Sequence, residues 1–176
     1  PGIVLAVRAV PLVELPASDA LRLGWEQFAA RHGGWTVTVD QRSGLPTLAF
    51  GAGIPWLDGS EAEPLAALEA KARAFLAENR ILLGEWAEQL VLDAAASGRA
   101  SDTLWVVTFR QAANGVPVDD ARFDFQVVQG KLVAFGVERW GTVRTRTEPR
   151  LDAAAASEQL FAYLEATPEQ VVMHGS

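Results

Sequence analysis

Cysteine is missing from all 176 residues, which removes disulfides, thiolate metal sites and thiol nucleophiles together. Histidine is almost missing too. His32 and His174 are the only imidazoles, they stand far apart in sequence, and neither has an acidic residue at a helical metal-ligand spacing, so no zinc site is expected. The single methionine is Met173 and the chain opens at Pro1, so it reads as an excised or processed piece of a longer product. No apolar run approaches the roughly 20 residues that cross a bilayer, and Ile3 to Val7, broken off by Arg8, is too short for a signal peptide. The expectation is a soluble chain without membrane insertion, whose export signal, if any, lies upstream. Positive charge is scarce: 15 Lys and Arg face 22 Asp and Glu, a net charge of −7 that argues against nucleic acid and anionic membrane surfaces as partners. No H-E-x-x-H, G-x-S-x-G, glycine-rich phosphate loop or dinucleotide fingerprint occurs. No cofactor and no catalytic set are expected.

What is present reads as an α+β chain long enough to bury its own core. Ser18 is placed to cap a helix whose apolar positions Leu21, Trp25, Phe28 and Ala29 share one face, and His32-Gly33-Gly34 stops it. Trp35 to Asp40 alternates apolar with polar, and after the turn Gln41 to Gly44 a short strand runs over Thr47 to Phe50, making a half-buried hairpin. Gly51 to Glu63 is rich in Gly, Pro and acidic residues and reads as a loop or subdomain junction. A helix then starts, either through a capping box in Ser60-Glu61-Ala62-Glu63 or with Pro64 in its first turn. Its buried stripe is Leu65, Leu68, Ala72, Phe75 and Leu76, Glu69 and Arg73 are spaced to pair, and Gly84 follows its end.

From Gln89 the period becomes two. Strands are predicted over 89–94, 103–112, 116–128 with an irregularity at Asp119-Asp120, and 131–139; Asn114-Gly115 and Gln129-Gly130 supply two-residue turns, so the set reads as an antiparallel meander. The helix stripe requires an apolar sheet face such as Trp105, Val107, Phe109, Phe123, Phe125 and Val127 provide. After Trp140, residues 141–149 read as a connecting strand or linker. Asp152 is then placed to cap a helix carrying Ala156, Leu160 and Leu164, and Thr167-Pro168-Glu169 resembles a further helix start.

The best acidic cluster is Asp119, Asp120, Asp124 and Glu138, which in principle supplies paired carboxylates or calcium ligands but otherwise reads as a solvated strand edge without EF-hand spacing. Of six tryptophans, Trp25, Trp35 and Trp105 fall in phase with buried faces, while Trp56, Trp86 and Trp140 flank loops. His32 reads as a helix-end residue, and Arg144 with Arg146 as a solvated face that would otherwise grip carboxylates of a partner.

The run Trp105-Val106-Val107-Thr108-Phe109-Arg110-Gln111, followed by Asn114-Gly115-Val116-Pro117-Val118, resembles the F-x-Q…N-G-V-P-V signature of the FTP domain, found in propeptides of fungalysin- and thermolysin-type zinc metalloproteases. A helix ending Phe75-Leu76-Ala77-Glu78-Asn79 before it, and the strand-turn-strand Phe123 to Val133 after it, suit that resemblance. Leu151-Asp152-Ala153-Ala154-Ala155-Ala156 resembles the opening of a PepSY domain, the usual next unit. The resemblance implies a cystatin-like fold, one helix on a four-stranded antiparallel meander, over residues 58–148. Residues 1–57 would be a helix-hairpin extension and 149–176 the incomplete start of a PepSY-like unit. It further implies a non-catalytic propeptide of a secreted or cell-envelope thermolysin-like metalloprotease precursor. Such a propeptide serves as intramolecular chaperone and inhibitor, with the cognate protease domain of the same precursor as its partner. In the signature, Asn114-Gly115 supplies the turn, Pro117 sets an edge or irregular position, and Phe109, Val116 and Val118 seat the hairpin against the helix. Arg110, Gln111, Asn114, Gly115, Val116, Pro117 and Val118 are the partner-interface candidates. The alternative is a stand-alone envelope module that binds another protein or a peptide with the same fold.

Overall fold

A computed structural model describes residues 9–11, 14, 19–61, 64–144, 148 and 150–165. The chain divides into two compact units, Pro1–Val143 and Arg144–Ser176. The first contains β1 (Ala9–Pro11), α1 (Ala20–Arg31), β2 (Trp35–Asp40), β3 (Pro46–Pro55), α2 (Pro64–Glu78), α3 (Arg80–Leu83), β4 (Leu90–Leu92), β5 (Gly98–Arg99), β6 (Leu104–Ala113), β7 (Val116–Val128) and β8 (Lys131–Glu138). The second contains α4 (Ala153–Leu164). The described residues thus form a mixed α+β fold with four α-helices and one eight-stranded antiparallel sheet, ordered β1-β2-β3-β8-β7-β6-β4, with β5 also on β6.

Local chemistry accounts for most boundaries. The cap assigned to Ser18 falls outside the described residues; Asp19 caps α1, its carboxylate accepting from the amides of Leu21 at 2.8 Å and Arg22 at 3.4 Å. Gly33 and Gly34, both with positive φ, turn the chain away, and the Gly34 amide donates to the Ala29 carbonyl at 2.7 Å. α2 opens on Pro64, where the fixed φ suits the first turn and the missing N–H costs nothing. Glu61 is used elsewhere, accepting from the amides of Asp58 and Gly59; Ala62 and Glu63 of the expected capping box lie outside the described residues. Gly84 caps the short α3, because α2 stops at Asn79, whose side-chain amide donates to the Phe75 carbonyl.

The tight hairpins follow the predicted turns, with left-handed pairs at Asn114-Gly115 and Gln129-Gly130. At Asp119-Asp120 the ladder breaks: Arg110 pairs with Arg122 but Ala112 pairs with Pro117, so β7 bulges outward around Asp120, which takes φ 57°.

The reading of Gly51 to Glu63 as a loop is corrected. β3 runs on to Pro55 because Gly53, at φ 102°, absorbs a bulge between Phe50 and Ile54 that lets the strand continue along β8. The amides of Trp56 and Leu57 then both donate to the Gly130 carbonyl, fixing the following segment to the β7-β8 turn. The helix and hairpin read from sequence as an extension therefore share one sheet and one core with α2 and the β6-to-β8 meander.

That core lies between the helices and one face of the sheet. Phe28 of α1 meets Phe75 of α2 edge to face at 6.0 Å, Phe75 meets Phe135 of β8 at 5.1 Å, and Trp25 contacts Phe135 at 6.2 Å. Trp25, Trp35, Trp56 and Trp140 are all buried, whereas Trp105 and Trp86 are half-buried.

In the second unit Asp152 caps α4 as expected, accepting from the Ala155 amide at 2.8 Å. No residue of α4 is buried: Leu160 and Leu164 stand 41% and 51% exposed. Arg144 is exposed; Arg146 and Thr167-Pro168-Glu169 lie outside the described residues, as does His174.

Candidate binding face

Side chains alternate across the sheet, and the helix contacts all run to the face that carries Phe109, Phe125 and Phe135. The opposite face has no helix of the first unit among those contacts. Across it, Thr36, Phe50, Ala134, Gln126 and Val106 make one cross-strand row from β2 to β6. A second row contains Glu138, Arg122, Arg110 and Val91 from β8 to β4. Between them lie Gly136, Asp124 and Thr108. Leu48 and Phe50 remain 45% and 48% exposed here, which is unusual for large apolar side chains two apart on one strand face.

Charge on this face is interlaced. The Arg122 Nη2 lies 2.6 Å from Glu138 Oε2 and its Nε 3.2 Å from Asp124 Oδ2, while the Thr108 hydroxyl donates to Asp124 Oδ1 at 2.7 Å. Arg110 Nε donates to Asp93 Oδ2 at 2.6 Å, and Arg139 pairs with Asp120 on the bulge. Partial burial works against the ionised form of Asp93. The hydrogen bond from Arg110, the amides of Ala96 and Ala95 and the Arg110 charge outweigh it and hold the carboxyl below its usual range.

The acidic cluster seen in sequence is therefore dispersed among arginines. Asp124 and Glu138 share Arg122, Asp120 takes Arg139, and Asp119 lies exposed on the bulge. Among the described residues no group of three or more His, Asp or Glu is placed to hold a metal ion. His32, beyond this face at the end of α1, packs its ring at a tilt against Phe28 at 4.6 Å; desolvation, then the Arg31 charge, lower its pKa against the opposing pull of Glu78.

The signature residues divide by depth. Gln111 is 1% exposed and its side-chain amide donates to Gln89 Oε1 at 2.7 Å and the Gly141 carbonyl at 2.6 Å, while its Oε1 accepts from the Gly141 amide. One side chain thus ties β6 to the turn before β4 and to the chain leaving β8. Arg110 is exposed on the open face, Asn114 and Gly115 form the exposed turn, and Pro117 is exposed where the bulge begins. Phe109 is fully buried, but Val116 is 45% exposed and Val118 half-buried, so the role of both valines in seating the hairpin is corrected: they flank the turn and the bulge, away from the helix.

Two hollows mark the face. A polar one of about 560 Å³ lies beneath the bulge between Asp93, Arg110, Asp120 and Arg139. A second, about 300 Å³, lies over β8, floored by Ala134 and Gly136 and walled by Leu48 on one side and Arg122, Asp124 and Gln126 on the other. Sequence reasoning missed this trough. Its signal was that Leu48 and Phe50, the larger apolar residues of their strand, share a face that excludes Ala49. Comparison with protein families, curated proteins and solved structures gave no match for this chain.

Proposed function

We propose that this chain is a non-catalytic protein-binding module, the FTP-like part of the propeptide of an exported thermolysin-type zinc metalloprotease, acting on its own protease domain as folding assistant and inhibitor. The observation that carries the reading is the part played by the signature. Gln111 is a buried polar residue that closes the fold by joining β6 to the segments at Gln89 and Gly141, which gives the signature a fixed structural part in this chain. The cystatin-like arrangement belongs to this proposal. Support for it comes from α2 packing Phe75 onto β7 and β8 and Arg73 over Phe109 of β6, with β4 on the far side of β6.

A protein-binding role is supported by the open sheet face, where exposed Leu48 and Phe50 adjoin ion pairs already ordered before a partner arrives. Binding to the native or near-native protease lowers its free energy relative to the unfolded chain, and covalent attachment raises the effective concentration of the module. Among the described residues no helix is long and apolar enough to span a bilayer. The test is the refolding yield of the denatured protease domain encoded with this chain, with and without the purified 176-residue chain. A higher yield with the chain is expected. An unchanged yield, with bovine serum albumin performing equally, sinks the proposal.

A further inference from the structure

We infer that the trough over β8 is an anchor point for one large apolar side chain of a partner segment that also carries an adjacent Lys or Arg. This deepens the protein-binding reading and rests on it. At about 300 Å³ the trough has room for a single aromatic or branched side chain, with Leu48 on one side and polar side chains on the other. Its floor exists because β8 presents the small residues Ala134 and Gly136 outward there, before Glu138 at the trough's end. The Gly136 position is forced: a Cβ there would collide with the Thr47 carbonyl, so β3 crosses close to β8 and carries Leu48 to the trough wall. Phe50, paired with Ala134 in register, extends that apolar wall.

The charge argument selects the neighbour. The opposite wall and end of the trough bear Asp124 and Glu138 against Arg122 alone, and Asp93, Asp119 and Asp120 against Arg110 and Arg139 lie beyond them. The face thus carries an acidic excess within a chain of net charge −7, so an entering cation gains where an entering carboxylate is repelled. Glu138, paired with Arg122 through Oε2, is half exposed, so its carboxylate is reachable at the trough's end.

The experiment titrates the whole chain, labelled with nitrogen-15, with three capped peptides: acetyl-Gly-Arg-Phe-Gly-amide, its Glu-Phe counterpart and its Arg-Ala counterpart. Saturable shifts at Leu48, Ala134 and Gly136 with the Arg-Phe peptide are expected, and about fivefold weaker binding of the Glu-Phe peptide follows from the size of one exposed charge contact. Loss of the ring should weaken binding by about tenfold. Ala134→Arg, which fills the trough, and Leu48→Ser, which removes its wall without adding volume, should both abolish the shifts while the far-UV spectrum is kept. Equal binding of all three peptides, shifts elsewhere, or no shifts at millimolar peptide overturns the inference. Peptide binding without any effect on the protease would overturn the propeptide reading alone. Protease binding indifferent to Ala134→Arg and Leu48→Ser would overturn the trough alone.

Discussion

Gln111 shows at the scale of one residue how a polar side chain specifies a fold. Its amide is out of water, so its worth lies less in the bonds made than in the groups stranded if it is lost. Gln111→Leu keeps the bulk but leaves Gln89 Oε1 and both backbone groups of Gly141 without this partner, and should cost about 2 kcal/mol in urea unfolding. A loss under a few tenths would show the contact to be incidental. Gly136→Ala should be destabilising by about 1–3 kcal/mol, because backbone atoms of Thr47 and Leu48, unlike the end of a flexible side chain, must move aside. Asp93 makes a prediction in pH. Its carboxyl titrates below the ordinary value in the folded chain, so its stabilisation is complete above the unfolded pKa near 4 and is lost as pH falls through the lower folded value. The stability of the native chain should fall more steeply below about pH 4 than that of Asp93→Asn, and identical pH profiles would contradict the Arg110 contact.

Elements explain what the sequence disclosed and what it hid. The meander from β6 to β8 was legible because Asn114-Gly115 and Gln129-Gly130 are local signals for left-handed turns, and the flanking strands alternate cleanly with Phe109, Phe123 and Phe125 inward. The irregularity at Asp119-Asp120 was legible too, two acidic residues being poor members of a continuous ladder. The second half of β3 was not. Gly51 and Gly53 read as loop residues on propensity alone, yet Gly51 leaves room for the Trp35 ring of β2 and the Gly34 carbonyl, and Gly53 serves the bulge beside β8, needs that only the partner strands create. The open face escaped for a related reason. Alternation tells which residues share a face but not which face the helices take, and the half-buried pattern over Thr47 to Phe50 does not disclose that Phe75 and Trp25 pack on the side away from Leu48 and Phe50. The interleaving of Arg122 with Asp124 and Glu138 likewise depends on cross-strand register, which turned an apparent acidic site into ion pairs.

For the first unit as a whole, the β3-β8 ladder and the contacts of Phe28 with Phe75 and Phe135 bind the N-terminal helix and hairpin into the same core as the meander. Native-state hydrogen exchange should therefore give the protected amides of β2 and β3 the same opening free energy as those of β6 to β8. Earlier release of β2 and β3 would mean that they fold as a separate unit. A pre-ordered, ion-paired and partly apolar sheet face is suited to the proposed holding of another protein at little entropic cost, and Gln111 of the signature segment ties together the core beneath it. The most direct measurement is peptide hydrolysis by the mature form of the metalloprotease that the proposal places in the same precursor, followed while the purified chain is added over a concentration series. The predicted result is a saturable fall in rate, with the chain remaining intact. An unchanged rate, or a chain degraded as an ordinary substrate without slowing the enzyme, would contradict it.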